Sequence, residues 1–152
     1  MKKIVLSLFV AAISFSTNAQ IETPAPSPKS TLMQKVGLTD VTVEYSRPGV
    51  KGRKIFGGLE DYGKVWRTGA NENTKVTFST DVTVDGQPLK KGTYALYTKP
   101  GKDSWEVMFY TDSNNWGNPQ VWDEAKVAAK AIVTPIEVPM LIETFTITID
   151  DV

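Results

Sequence analysis

"GTYALYTKPGKDSWEVMFYTD", residues 92–112, holds two apolar alternations separated by a turn signal. In the first, Tyr94 and Leu96 face one way and Ala95 and Tyr97 the other, until Pro100-Gly101 ends the run. In the second, Trp105, Val107 and Phe109 share a side, with Met108 and Tyr110 opposite. Period-two alternation rich in aromatic and β-branched residues is a strand signature. Large apolar groups on both sides of the second run predict a central strand covered on both faces.

The same period extends outward. "DVTVEYS" (40–46) aligns Val41, Val43 and Tyr45, and "KVTFST" (75–80) aligns Val76 and Phe78. "DVTVDG" (81–86) aligns Val82 and Val84 and ends in Asp85-Gly86, a hairpin-turn signal. "ETFTITIDD" (143–151) alternates Phe145, Ile147 and Ile149 against threonines. "VWDEAKVAAKAIVTP" (121–135) has early acidic residues and helix formers, but Val127, Ala129, Ala131 and Val133 also alternate. It reads as a turn or short helix near 122–127 feeding a strand over 128–134, ended by Pro135. No helix-rich block supports parallel βαβ units. The expected fold is all-β, an antiparallel β-sandwich or partly open barrel.

Residues 1–19, "MKKIVLSLFVAAISFSTNA", carry Lys2 and Lys3, an apolar run of about 12 residues and a small-residue exit, the layout of a signal peptide. That run is too short for a bilayer core, which takes about 20 residues. "QIETPAPSPKST" (20–31) reads as a Pro/Ser-rich linker, leaving 32–152 as the β domain. The protein is expected to be exported, periplasmic or extracellular, with no membrane span in its mature chain. The end "TITIDDV" follows a strong strand pattern directly, so a truncated C-terminus is expected.

Composition narrows the function. The chain has no cysteine and no histidine. That excludes disulfides, Ser-His-Asp and Cys-His nucleophile systems, and His/Cys zinc sites. Full-length charge is zero, and without Lys2 and Lys3 it is 15 positive against 17 negative. Such a balance argues against nucleic acid as a partner.

Two stretches carry the candidate site. "SRPGVKGRK" (46–54) fits a type II turn at Arg47-Pro48-Gly49-Val50, then a second bend at Gly52. Arg47, Lys51 and Arg53 could converge on a carboxylate, sulfate or phosphate; alternatively they blunt a sheet edge. "YGKVWRTGANENT" (62–74) sets Trp66, Arg67, Asn71 and Asn73 on one loop, a small-ligand lining. Alternatively Trp66 plugs the core, Arg67 pairs with Glu60 or Asp61, and the asparagines cap turns. "YTDSNNWGN" (110–118) resembles a calcium loop only weakly, with Trp116 at a ligand place. Trp116 and Trp122 could form a sugar-stacking platform. The carboxylate pairs Glu60/Asp61, Asp123/Glu124 and Asp150/Asp151 are adjacent in sequence, and glycosidase carboxyls face each other across about 5–9 Å. Ser46 with Lys51 lacks anything that fixes their approach. No catalytic residue, metal site or cofactor is assigned.

Taken together, "EYSRPGVKGRKIFG", "YGKVWRTGAN", "GTYALYTKPG" and "ETFTI" resemble the domain of unknown function family 2911, from about Leu32 to the C-terminus. The resemblance implies a compact exported β domain, of a kind common in bacteria of the Bacteroidetes type, with no established activity. Glu60-Asp61 stand where relatives often have a Val-Pro-like pair. Relatives also usually continue by one or two strands past "ETFTI". The expectation is a non-catalytic exported domain that binds a small anionic or polyhydroxylated ligand (a small molecule or glycan) or an envelope partner. The ligand-binding set is Arg47, Lys51, Arg53, Trp66, Arg67, Asn71 and Asn73. A carboxylate-based hydrolase and a structural envelope component are the alternatives.

Overall fold

The computed structural model describes residues 23–150. The expected signal peptide, the first residues of the linker and the chain end lie outside the described residues. Eight strands follow one another: β1 (Lys29–Val36), β2 (Thr39–Ser46), β3 (Thr74–Phe78), β4 (Val82–Val84), β5 (Gln87–Leu89), β6 (Gly92–Lys99), β7 (Trp105–Tyr110) and β8 (Val127–Val133). The described residues contain no α-helix, only a 3₁₀ turn at Glu124–Lys126. Six strands make one antiparallel sheet in the order β1-β2-β3-β6-β7-β8, and β4-β5 make a separate hairpin. The sheet stays open, so the barrel alternative is not formed.

β1 starts at Lys29, inside the stretch read as linker. Its sequence, KSTLMQKV, is too polar to announce a strand, but it pairs with β2 from Lys29↔Ser46 to Val36↔Thr39. The two-residue turn Gly37-Leu38 joins them, with Gly37 at φ +58°, where glycine is unstrained. Asp85 and Gly86 both take positive φ, the twist a tight hairpin requires. Asp123 caps the 3₁₀ turn by accepting from the Ala125 N–H at 3.0 Å, and β8 follows at once.

Register sorts the two faces. Leu32, Val43, Val76 and Tyr94 lie in one row, and Leu96, Phe109 and Ala129 in another on that same face. Ala95, Tyr97, Met108 and Tyr110 form a buried cluster on the opposite face, joined by Trp122. Over the first face lie the β4-β5 hairpin and the side chains of Phe145, Ile147 and Ile149. Of the expected strand at 143–151, the described residues carry only the Thr144–Gly49 bridge. Its backbone is held instead by side chains: Arg47 donates to the Phe145 carbonyl, and the Ile147 N–H donates to the Tyr45 hydroxyl. The sandwich is therefore lopsided, six strands against a hairpin and one unladdered segment. The open edge of β8 is blunted by Gln87, whose amide both donates to the Lys130 carbonyl and accepts from the Lys130 N–H.

Candidate functional site

The basic loop folds differently from its expected turn. Gly49 does not take positive φ; it bridges Thr144, while Val50 N–H donates to Glu143 O and Phe145 N–H to Pro48 O. Pairing with 143–145 keeps 48–50 extended and moves the turn to Lys51-Gly52, at φ +50° and +69°. The cationic side chains do not converge. Arg47 donates to the Phe145 carbonyl at 3.2 Å and to the Thr146 hydroxyl at 3.0 Å. Arg53 folds back on its own loop, onto Val50 O at 3.0 Å and Gly49 O at 2.6 Å. Lys51 is exposed.

Residues 66–74 lie beside the end of β2. The Asn71 side-chain amide donates to the Ser46 hydroxyl and to Ser27 O, both at 3.4 Å, so the two candidate stretches meet at Ser46. Their functional groups then part. Trp66 is 5% exposed and meets Phe56 and Phe145 edge-on at centroid distances of 5.8 and 5.4 Å. Its indole N–H donates to Gly69 O. It is the plug at the end of the core. Arg67 and Asn73 sit with the opposite face. The Asn73 amide donates to the Tyr97 hydroxyl, which donates to Gly117 O at 3.1 Å, and the Arg67 guanidinium lies against Gly117. Burial pushes the Tyr97 hydroxyl pKa up. Two buried polar atoms here, Arg67 Nε and Asn73 Oδ1, have no hydrogen-bond partner among the described residues. Arg47 thus holds the segment over the Val43 face, and Arg67 addresses the loop over the Tyr97 face.

Arg67 makes no ion pair within 4 Å among the described residues. It acts on Glu60 at longer range: burial raises the Glu60 carboxyl above its ordinary value, Arg67 pulls it back, and Asp61 pushes it up. Trp122 stacks on Tyr110 at 4.8 Å and meets Tyr97 edge-on, whereas Trp116 is 72% exposed, so the two indoles have separate surroundings. Asp112 accepts from the Asn114 N–H and from Lys126, and the described residues hold no group of three acidic residues placed for a metal. Asp123 caps the 3₁₀ turn, and Glu124 accepts from the Trp122 indole.

A larger concave surface lies away from these residues. On the Val43 face, between β4 and the 145–149 segment, an open groove of about 420 Å³ is walled by Val36, Val41, Val76, Phe78, Val82, Val84, Leu96, Val107, Phe109, Ile147 and Ile149, with Val43, Thr39 and Thr83. Only two of these residues are polar, and both are threonines. A second depression of about 80 Å³ is lined by Lys29, Lys75, Glu44 and Glu72, whose opposite charges offset one another. The groove was not foreseen in the sequence, although its walls were. The alternations at 40–46, 75–80, 81–86 and 143–151 supply most of it; what they do not reveal is that two covering pieces leave a gap.

The arrangement defines an open antiparallel β domain with an apolar groove on one face. The chain belongs to the family described as Protein of unknown function (DUF2911), whose model matches residues 27–152. No curated protein and no solved structure matches it.

Proposed function

We propose that this protein is an exported, non-catalytic interaction domain that receives an apolar ligand or partner surface in the groove between β4 and the 145–149 segment. The groove itself carries the reading: about 420 Å³ of open, almost wholly apolar surface on a folded sheet. Binding sites are concave, largely apolar and few per protein. The 1–19 leader pattern supports export. The anionic-ligand expectation has less support, because the guanidinium donors of Arg47 and Arg53 are engaged by the protein's own carbonyls and a threonine hydroxyl.

The test is titration with 1-anilinonaphthalene-8-sulfonate, a fluorescent apolar probe, with near-UV circular dichroism run alongside to exclude a loosened core. Saturable enhancement is expected, reduced by Val84→Glu and Ile149→Glu and unchanged by Arg53→Ala. A folded protein that gives no saturable signal refutes the reading.

A further inference from the structure

The face opposite the groove holds a charge that the fold leaves uncompensated. Of the chain's three arginines, Arg47 and Arg53 donate to the protein's own carbonyls and a threonine hydroxyl. Arg67 differs. The Trp66–Thr98 bridge lays this stretch along the end of β6, and Trp66 enters the core. The next side chain therefore points to the Tyr97 face, where Val65 also packs. There the Arg67 guanidinium lies against buried Gly117, where a β-carbon would stand 3.4 Å from Nη1. No described carboxylate is within 4 Å of it. Its Nε is buried and has no acceptor among the described residues.

A guanidinium does not lose its proton in a protein. Drawing it out of water without a counter-charge is costly, and buried charges are normally paired. The acids nearby do not serve. Glu60 feels the field of Arg67 without contacting it. Asp112, on the loop beside Tyr97, accepts from Lys126 at 3.2 Å and from the Asn114 N–H at 3.4 Å. The groups around the guanidinium are neutral and polar. Asn73 is 3% exposed; its amide donates to the Tyr97 hydroxyl, and its Oδ1 has no donor among the described residues. The loop above is fastened twice, by the Tyr97 hydroxyl to Gly117 O and by the Asn118 amide to Val65 O at 2.8 Å. A positioned, half-buried donor fork thus sits beside a buried amide oxygen, and both lack a partner.

We propose that Arg67 holds the carboxylate of a small hydroxylated acid, of the size and chemistry of a sugar acid, where residues 66–73 meet the 112–118 loop. The planar fork matches a carboxylate through two parallel N–H donors. The Asn73 oxygen calls for a donor, so the ligand carries hydroxyl groups as well as its acid group. The Glu60 charge in range of Arg67 disfavours a doubly charged anion such as phosphate. The site lies on the other face from the groove and does not depend on it.

The experiment is urea unfolding of protein purified from cells expressing the full chain, with D-glucuronate, acetate or D-glucose in concentration series at matched sodium. A ligand that binds only the folded state raises the midpoint with concentration. Glucuronate should raise it, acetate should need about tenfold higher concentration for the same rise, and glucose should give none. Arg67→Gln should abolish the response to glucuronate. Without ligand this variant should be at least as stable as wild type, because it removes an uncompensated charge. Each response is read against the variant's own ligand-free midpoint, so a folding effect does not imitate it. Val84→Glu, in the groove, should keep the glucuronate response, and Arg67→Gln should keep fluorescent-probe binding. The proposal is overturned by no rise in wild type, by acetate or glucose matching glucuronate, by an equal response in Arg67→Gln, or by a loss of ligand-free stability in that variant, which would make Arg67 structural.

Discussion

Replacing Arg47 with alanine separates two roles that the sequence leaves open. As a ligand contact its loss would cost binding and leave stability unchanged. In the structure its guanidinium is a clamp: it joins the end of β2 to the 145–146 backbone, at 3.2 Å to Phe145 O and 3.0 Å to Thr146 Oγ1. Hydrogen bonds to a charged group contribute about 1.5–3 kcal/mol each, and discounting the exposed one to Thr146 as a surface interaction leaves about 1.5–3 kcal/mol for the pair. With a urea dependence of about 2 kcal/mol per M, the unfolding midpoint should fall by roughly 0.75–1.5 M. Thr146→Val, which removes one partner, should cause a smaller drop and should be non-additive with Arg47→Ala. Arg53→Ala is the control, since its bonds stay within 49–53, and it should move stability by less than about 0.5 kcal/mol. The same clamp positions Ile147 and Ile149 on the groove wall. Arg47→Ala should therefore also alter probe binding, although the residue lines no part of the groove. A midpoint within about 0.2 M of wild type would refute the clamp, on the urea dependence used above.

Two carboxylates should give opposite pH dependences. Burial raises the Glu60 carboxyl above its ordinary 4.5, so its contribution is present at low pH and lost as pH rises through the folded value. Glu60→Gln should then raise the urea midpoint at pH 7 and leave it unchanged near pH 4. Burial also pushes Glu106 up, but its hydrogen bonds with Lys99 and Lys130, at 3.4 Å each, outweigh that and hold it below 4.5. Its contribution is present at neutral pH and lost on acidification, so Glu106→Gln should lower the midpoint at pH 7 and have little effect at pH 3. Trp122→Ala should cost about 2–3 kcal/mol by emptying the space against Tyr97 and Tyr110. Trp116→Ala, at a largely exposed ring, should fall within about 0.5 kcal/mol of wild type in the same urea titration.

The strands were legible where apolar alternation was strong. β2 and β3 bury the side that period two assigns, β6 and β7 carry covered apolar residues on both sides, and Asp85-Gly86 marks its hairpin. The signal failed in both directions at the margins. β1 is polar because its strand lies at the sheet edge, so it forms on the strength of backbone pairing with β2 rather than on burial. Residues 143–151 alternate as well as any true strand, yet Arg47 and Tyr45 occupy backbone groups there that a ladder would use. For the candidate site, alternation leaves open whether 46–47 and 69–73 meet; in the structure the Asn71 amide reaches the Ser46 hydroxyl. Alternation could not assign Arg47 and Arg67 to their faces, because the direction of each depends on partners about 98 and 50 residues away, at Phe145 and Gly117.

That last limit also explains why the groove is not legible in the sequence. Alternation states which residues share a face; it carries no information on how completely another layer covers that face. Six strands present more apolar surface than a three-residue hairpin arm and one segment can close. Residues 134–142 show the converse. "IEVPMLI" (136–142) is apolar by composition, yet its large side chains are exposed between the long-range pairings at Val133 and Thr144. An uncovered recess and an unburied projection each cost free energy in an isolated chain.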